Sequence, residues 1–209
     1  MVKSFYARGG SLKTNYVLID FENVQPKSLK ALNGHDFRVL VFVGAKQTKV
    51  PIDLARTMQT LGANADYIQI EGNGPNALDF HIAYYIGQLS EKDSDSFFHI
   101  ISKDTGFDPL IRHLKANKVF VQRHKDILEI PLLKISNSKT KPERVEAIVG
   151  FLKARGPAKP RTVKTLSNSI NSLFLKKLEE EELIGLIEEL AKRKCILLNG
   201  TKVSYSLPE

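Results

Sequence analysis

Acidic residues follow two apolar runs of the chain, at positions where a β-sheet would bring them together. Asp20 ends the run Tyr-Val-Leu-Ile-Asp and is followed by Glu22 and Asn23. Asp104 and then Asp108 follow a second run, Phe-Phe-His-Ile-Ile-Ser. Ligands of open parallel sheets collect beyond the carboxyl ends of the strands, so we expect these side chains to converge at one edge.

A third carboxylate, Asp79, lies early in a predicted helix among apolar neighbours, where a buried charge needs a partner. Clustered carboxylates repel one another and have raised pKa values, and a shared divalent cation relieves the repulsion. Mg²⁺ and Mn²⁺ prefer oxygen ligands and promote phosphodiester hydrolysis. The sequence therefore predicts a metal site. Its catalytic residues are Asp20, Asp79, Asp104 and Asp108 as ligands, with Asn23 to position water or a phosphate.

Each aspartate taken singly also has a structural explanation. Asp20 can cap the turn after its strand, and Asp104 can form a turn with Gly106. Asp108 suits the first turn of a helix, where the helix dipole favours negative charge. The metal site is therefore inferred from the whole constellation and not from any one residue.

Short apolar runs alternate with longer amphipathic stretches between Asn15 and Ile135, which is typical of βα units. The five predicted strands are Tyr16 to Phe21, Phe37 to Val43, Asp66 to Ile70, Phe97 to Ser102 and Lys118 to Gln122. The predicted helices are Pro26 to Leu32, Pro51 to Leu61, Pro75 to Leu89 and Phe107 to Ala116. Right-handed crossovers then predict a three-layer α/β/α sandwich around a parallel five-stranded sheet.

A second domain is predicted after the polar segment 136–141, which we interpret as a linker between domains 1–135 and 142–209. Its predicted elements are the helices Pro142 to Lys153, Val163 to Phe174 and Glu179 to Lys192, then the strands Cys195 to Leu198 and Lys202 to Leu207. Asn199-Gly200 between the strands is a strong hairpin signal. Three helices and a terminal hairpin resemble a winged helix, a small α+β fold.

Composition narrows the classes of function. The single cysteine, Cys195, excludes an intramolecular disulfide and a thiolate-rich zinc site. No signal-like stretch and no apolar run of ~20 residues is present, so we expect a cytoplasmic protein without membrane contact. The net charge of +8 favours a polyanionic partner. Divided at Ile135, the two parts carry +3 and +5, so the shorter C-terminal part is the more basic.

The sequences VLIDFENV, GNGPNALDFHIAYYIG and SKDTGFDPLI resemble the three acidic motifs of PIN-like/NYN nucleases in order and approximate spacing. The resemblance covers residues 15 to about 122. It implies a PIN-like fold, a divalent metal and phosphodiester hydrolysis, usually of RNA. Asp20 and Asn23 match the first motif of the family, Asp79 the second and Asp104 the third.

The third motif departs from the family's pattern. NYN proteins commonly show Ser-Gly-Asp-x-Asp-Phe, whereas this chain has Gly106 where the second acid would stand. Asp108, half a turn later, is the candidate replacement. If Asp108 does not reach the site, three carboxylates remain, and metal affinity or catalysis is weakened.

Polar residues near the predicted strand ends are candidates for contacting a nucleic-acid backbone. Two follow the second strand, one lies in a glycine-rich loop before a helix, and two lie in or just after the third motif. Each also fits a solvated loop or an ion pair with a neighbouring carboxylate. The predicted substrate-binding residues are Lys46, Gln47, Asn76, Lys103 and Arg112.

Together these features predict a divalent-metal-dependent nuclease, favoured as an endoribonuclease of single-stranded RNA, with DNA as a second candidate substrate and a C-terminal nucleic-acid-binding module. Homo-oligomers are compatible with the sequence. Two alternatives stay open. The same fold can bind RNA or DNA without cleavage if the third motif no longer holds metal. The second is a regulatory or scaffold protein that acts through its winged helix, either as a monomer or as a dimer.

Overall fold

Continuous apolar runs form a five-stranded parallel sheet in the computed structural model, which describes residues 14–33, 37–136, 138, 140–174 and 178–208. The strands are β1 (Asn15–Asp20), β2 (Phe37–Val43), β3 (Ala65–Gln69), β4 (Phe97–Ile101) and β5 (Phe120–His124). They lie in the order β3-β2-β1-β4-β5, and every neighbouring pair is parallel. The predicted sheet is confirmed.

Three helices connect these strands: α1 (Ile52–Leu61), α2 (Ala77–Lys92) and α3 (Phe107–Ala116). The chain steps from β2 to β3 in one direction and from β4 to β5 in the other. Right-handed crossovers therefore place α1 on one face of the sheet and α2 and α3 on the opposite face. The predicted three-layer sandwich is confirmed.

The layer between the sheet and helices α2 and α3 is a single apolar cluster. Alternate strand residues face it, because successive side chains of a strand point to opposite faces. Leu18, Phe42 and Phe98 contribute from the sheet, and Ile82 and Ile111 contribute from the two helices. This packing holds the carboxyl ends of β1 and β4 and the first turn of α2 at one edge.

Two local predictions for this unit were wrong. The predicted helix Pro26 to Leu32 is only a 3-10 turn, Leu29–Leu32, which buries Leu29 and Leu32. Their spacing of three matches the period of a 3-10 turn. The fifth strand does not begin at Lys118, because that residue has a φ of 64°. A left-handed backbone belongs to the turn after α3 and cannot continue an extended strand.

The chain divides into two compact units, one spanning Lys13–Ile130 and one containing Pro131–Glu209. The second unit begins with a helix that the sequence pattern did not indicate, α4 (Pro131–Ser136). The predicted linker 136–141 thus overlaps the last residue of α4 and the first residue of the next helix, and residues 137 and 139 lie outside the described residues.

The second unit continues with α5 (Lys141–Ala154), α6 (Val163–Leu173), α7 (Glu180–Lys192) and the hairpin β6 (Ile196–Asn199) and β7 (Lys202–Tyr205). Thr140 and Thr162 cap α5 and α6 with reciprocal side-chain to backbone hydrogen bonds. Gly200 supplies the positive φ of 57° that the tight hairpin turn requires. The three helices and the hairpin enclose their own apolar core.

No helix in the described ranges is both long enough and apolar enough to cross a lipid bilayer.

Candidate functional site

The order of the strands creates a crevice at the carboxyl ends of β1 and β4. These two strands are neighbours, but the chain leaves β1 towards β2 and leaves β4 towards β5, on the other side. Such a topological switch point is where open α/β sheets bind ligands. Asp20 is the last residue of β1, and Ser102 directly follows β4. Two of the predicted acidic motifs therefore meet here.

A serine hydroxyl links the first and third motifs. Ser102 Oγ donates a hydrogen bond of 2.7 Å to Asp20 Oδ2 and accepts one of 3.0 Å from the backbone N–H of Asp104. Asp20 is 1% exposed, and its Oδ1 accepts a further bond of 3.1 Å from the backbone N–H of Asn23. Buried carboxylates need such partners. Ser102 was not among the predicted site residues, although its position between β4 and Asp104 indicated that it lies near the site.

Asp79 lies in the first turn of α2, where the neighbouring carboxylates repel its negative charge. Partial burial is the main reason that the pKa of Asp79 is raised to about 6, from 3.8. The charges of Asp20, Asp104 and Glu22, in that order, raise it further. The structure thus brings the three predicted motifs close enough for their carboxylates to repel one another.

Glu22 is the fourth acid of this group, and the sequence interpretation did not include it among the site residues. Its carboxylate occupies the space that a Cβ of Gly44 would need, so Gly44, directly after β2, has to be glycine for Glu22 to hold this position. A signal was available, because Glu22 stands two residues after Asp20 in the first motif.

Asp108, predicted as a ligand, is instead held by a cation. Arg123 on β5 donates hydrogen bonds of 2.9 and 3.3 Å to its two carboxylate oxygens. The hydrogen bond from Arg123 lowers the pKa of Asp108, and the charges of Arg123 and Arg112 lower it further. Asp108 is not among the charges that raise the pKa of Asp79. Both carboxylate oxygens of Asp108 are thus engaged by Arg123.

Gly106, which stands where the NYN pattern has its second acid, lies next to the carboxylate of Asp104. Its backbone N–H donates a 2.7 Å hydrogen bond to Asp104 Oδ1. A Cβ at residue 106 would lie 3.1 Å from the same oxygen, which is tighter than ordinary packing. Asp104 thus forms the turn expected of it and orients its carboxylate by that turn. An acid at residue 106 would require Asp104 to move.

The predicted substrate-binding residues are exposed, but they differ in what else they do. Gln47 donates a side-chain hydrogen bond to the carbonyl of Lys49, so its amide is engaged within its own loop. Asn76 has a left-handed backbone, with a φ of 60°, and its carbonyl accepts the N–H of Phe80 at the start of α2. Lys46 and Lys103 lie on loops that follow β2 and β4. The positive charge of Arg112 helps to lower the pKa of Asp108.

The donor set fits a hard divalent cation, because the group offers only carboxylate oxygens. None of the four acids forms an ion pair with a residue of the described ranges. In those same ranges, no three acidic, histidine or cysteine side chains converge tightly enough to make a ready metal-binding group. The carboxylates are close enough to repel one another, but they do not converge as a ready set of metal ligands. Repulsion between like charges keeps them apart.

Comparison with family models identifies the family of the first unit. The model described as PIN domain matches residues 14–124, more than half of the chain. The chain belongs to the PIN-domain family. PIN domains are typically metal-dependent nucleases, so a nucleic acid is the expected class of substrate. The match runs through all five strands of the parallel sheet. Comparisons with curated proteins and with solved structures found no match.

Proposed function

We propose that this PIN-domain protein is a divalent-metal-dependent endoribonuclease of single-stranded RNA. One observation carries the proposal, the group of carboxylates at the switch point of the sheet. Asp20 and Asp104 approach Asp79 closely enough to raise its pKa, although two of the three side chains come from separate sheet strands or their ends. A fold that gathers repelling charges at its ligand-binding edge supports a cation-dependent reaction.

Asp20, Asp79 and Asp104 are the proposed ligands of Mg²⁺ or Mn²⁺. A divalent cation bound there supplies Lewis-acid stabilisation of the phosphate and lowers the pKa of water. Ser102 fixes the rotamer of Asp20 through its 2.7 Å hydrogen bond and couples it to the backbone at Asp104. Such supporting hydrogen bonds orient ligands and tune their basicity.

Glu22 replaces Asp108 as the proposed fourth acid. Its charge acts on Asp79, whereas Asp108 is neutralised by Arg123. Glu22 is exposed and lies beside Gly44, so its carboxylate can help to hold the metal or accept a proton from water. Asn23 keeps the proposed role of positioning water or phosphate, because its side chain is exposed next to Asp20.

RNA is proposed over DNA because the three motifs resemble those of NYN nucleases, which usually act on RNA. Lys46 and Lys103 are the proposed contacts to the phosphate backbone, since both are exposed on loops at the carboxyl edge of the sheet. Gln47 and Arg112 are weaker candidates, because the Gln47 amide is hydrogen-bonded within its own loop and the charge of Arg112 acts on Asp108. Asn76, exposed just before α2, keeps its proposed role.

The second unit is proposed to be a winged-helix-like domain that binds nucleic acid. Thr162, just before α6, forms an isolated antiparallel bridge with Lys202 of β7, so the hairpin is tied to the helical core as a wing would be. Counting charged residues in 131–209 gives 15 Lys and Arg against 9 Asp and Glu, a net charge of +6. Binding through phosphate contacts should weaken steeply with added salt.

A catalytically silent RNA-binding protein is the second candidate. The observation that favours it is the lack, within the described ranges, of three side chains converged as ligands. Gly106 adds to this, because the acid that the NYN pattern places there is missing. This candidate keeps the fold and the nucleic-acid binding of the second unit, but it predicts no cleavage with any metal.

Cleavage of a labelled single-stranded RNA pool by the full chain, with Mn²⁺, Mg²⁺ or EDTA, separates the two candidates. We expect cleavage that requires metal and that is lost in Asp20→Asn and in Asp104→Asn. Glu91→Gln, which neutralises an exposed acid at the far end of α2, is the matched control and should cleave normally. RNA binding without metal-dependent cleavage would establish the silent protein instead.

A further inference from the structure

Two large aromatic side chains stand in solvent on α2, beginning beside the candidate site. Phe80 is 70% exposed and Tyr84 is 62% exposed. Residues four apart on a helix are neighbours, at about 5–6 Å between their Cβ atoms. Phe80 also directly follows Asp79 in the chain. The two rings, called here the aromatic pair, therefore lie on one exposed face of α2, and Phe80 is next in the chain to an acid of the candidate site.

The ring of Tyr84 is held in place from the core. It packs edge-on against Tyr85, with ring centroids 5.7 Å apart, and Tyr85 packs edge-on against the buried Phe42 at 5.2 Å. Gln88 donates a hydrogen bond of 3.4 Å to the hydroxyl of Tyr84. An exposed ring with a fixed orientation loses little conformational entropy when a ligand stacks on it.

Small residues lie on the face of α2 that runs beside the aromatic pair to Asp79. On a helix of 3.6 residues per turn, Ala83 and Gly87 project between the direction of Asp79 and that of Phe80. Ala83 has only a methyl group as its side chain, and Gly87 has none and is exposed with no atom near the place of a Cβ. A chain lying across this strip would reach the acids without meeting a bulky residue.

Electrostatics alone gives this unit little affinity for a polyanion. The span Lys13–Ile130 contains 14 Lys and Arg and 14 Asp and Glu, so its net charge is zero. Its candidate site gathers four negative charges, which repel phosphate until a cation is bound. Contacts that do not depend on phosphate are therefore needed at this edge. Stacking of bases on aromatic rings is such a contact, and it tolerates any base.

We propose that the aromatic pair is a base-stacking platform that guides single-stranded RNA into the active site. This inference rests on the proposed nuclease function and names the feature of the substrate that the unit reads. Stacking requires an exposed base face, so bases paired inside a duplex cannot use the platform. Selection of single strands then follows from Phe80 and Tyr84, and little sequence preference is expected from them.

The chain contains no tryptophan, which gives a direct probe of stacking. Phe80→Trp would carry the only indole of the protein, next to the acids. In EDTA, so that no cleavage occurs, a single-stranded RNA of twelve nucleotides should quench its fluorescence. An oligomer of the same length with abasic residues keeps the phosphates and should not. Equal quenching by both oligomers would overturn the proposal, because phosphate contact alone would then explain the signal.

Affinity provides the second test. In EDTA, the double variant Phe80→Ala with Tyr84→Ala should bind single-stranded RNA about 5- to 150-fold more weakly per stacked base. Its affinity for the abasic oligomer should not change. Ile52→Ala removes a 66% exposed aliphatic side chain from α1 and is the matched control. Tyr84→Phe keeps the ring and should bind as wild type does. Unchanged thermal unfolding of the double variant shows that its fold is intact.

The outcomes separate this inference from the nuclease proposal. Quenching by RNA but not by the abasic oligomer, in a protein that never cleaves, would leave the platform standing and remove the nuclease. Metal-dependent cleavage with an unchanged KM in the double variant would support the nuclease and overturn the stacking platform. Loss of self-association in the double variant, with RNA affinity unchanged, would show that the aromatic pair is a contact between copies of the chain and would overturn the proposal.

Discussion

Replacing Asp79 with asparagine is expected to stabilise the metal-free protein while abolishing its proposed activity. Asparagine has nearly the same shape as aspartate but carries no charge. In the folded protein, the charge of Asp79 is partly removed from water and lies near other carboxylates. Ionised Asp79 therefore opposes folding, and a site with this property exchanges stability for function.

The size of the effect follows from the pKa of Asp79, which rises from 3.8 to about 6. A rise from 3.8 to about 6, at ~1.36 kcal/mol for each tenfold change in proton affinity, corresponds to roughly 3 kcal/mol of unfolding free energy. Water screens a partly buried group, so we expect about 1 to 2 kcal/mol. For a chain of this size, that gain raises the midpoint of thermal unfolding by about 2 to 8 °C.

The gain should depend on pH in a defined window. A folded pKa above the unfolded value means that the folded protein favours the protonated acid. Wild type therefore loses stability as the pH rises from 3.8 to about 6, and Asp79→Asn does not. The advantage of the variant should be complete above pH 6 and should disappear as the pH falls towards 3.8.

Thermal unfolding of wild type and Asp79→Asn in EDTA, at intervals between pH 4 and 8, measures this directly. Glu91→Gln controls for the loss of an acid from the same helix and should not show the gain. A second series with Mn²⁺ should stabilise wild type more than the variant, because only wild type retains the full set of proposed ligands. Equal stability of Asp79→Asn and wild type at pH 8 in EDTA would show that the charge of Asp79 does not oppose folding.

Three further substitutions test the supporting structure. Ser102→Ala removes one hydrogen bond from the buried Asp20 carboxylate, so metal-dependent cleavage should fall about 10- to 100-fold, with kcat changing more than KM. An unchanged kcat would exclude a role for Ser102 in orienting Asp20. Gly44→Ala forces Glu22 out of its position, and cleavage should fall in steady-state assays, whereas full activity would remove Glu22 from the site. Asp108→Asn breaks the pair with Arg123 but should keep cleavage within a few-fold of wild type; loss of metal-dependent activity would restore Asp108 as a ligand.

Much of the first unit was predictable from the sequence, because local patterns encode it. Strands buried on both faces need continuous apolar runs, and the strands β1 to β4 were placed to within one residue at each end. Asp20 ends β1, and Asp104 lies in the loop that follows β4, since the polar residues after an apolar run also end the strand. The Asn-Gly pair at 199 and 200 specified the hairpin through its backbone preferences.

The assignment of side chains to the site depended on contacts between distant parts of the chain. Asp108 and Glu22 look equally suitable in sequence, yet Arg123 reaches the first from β5 and none of the described cations pairs with the second. The bond from Ser102 to Asp20 spans 82 residues and exists only because β4 lies beside β1. No local pattern contains the order of strands.

Asp79 and Phe80, in helix α2, also show which properties the sequence determines and which the tertiary structure determines. The sequence determined that α2 exists and that an acid stands in its first turn among apolar residues. Only the packing decided that Leu78 and Ile82 are buried, that Phe80 is exposed, and that Asp79 is partly removed from water. The physical reason is that hydrophobic periodicity specifies an element and its apolar face, whereas burial, charge proximity and pKa arise from what the folded sheet places against each side chain.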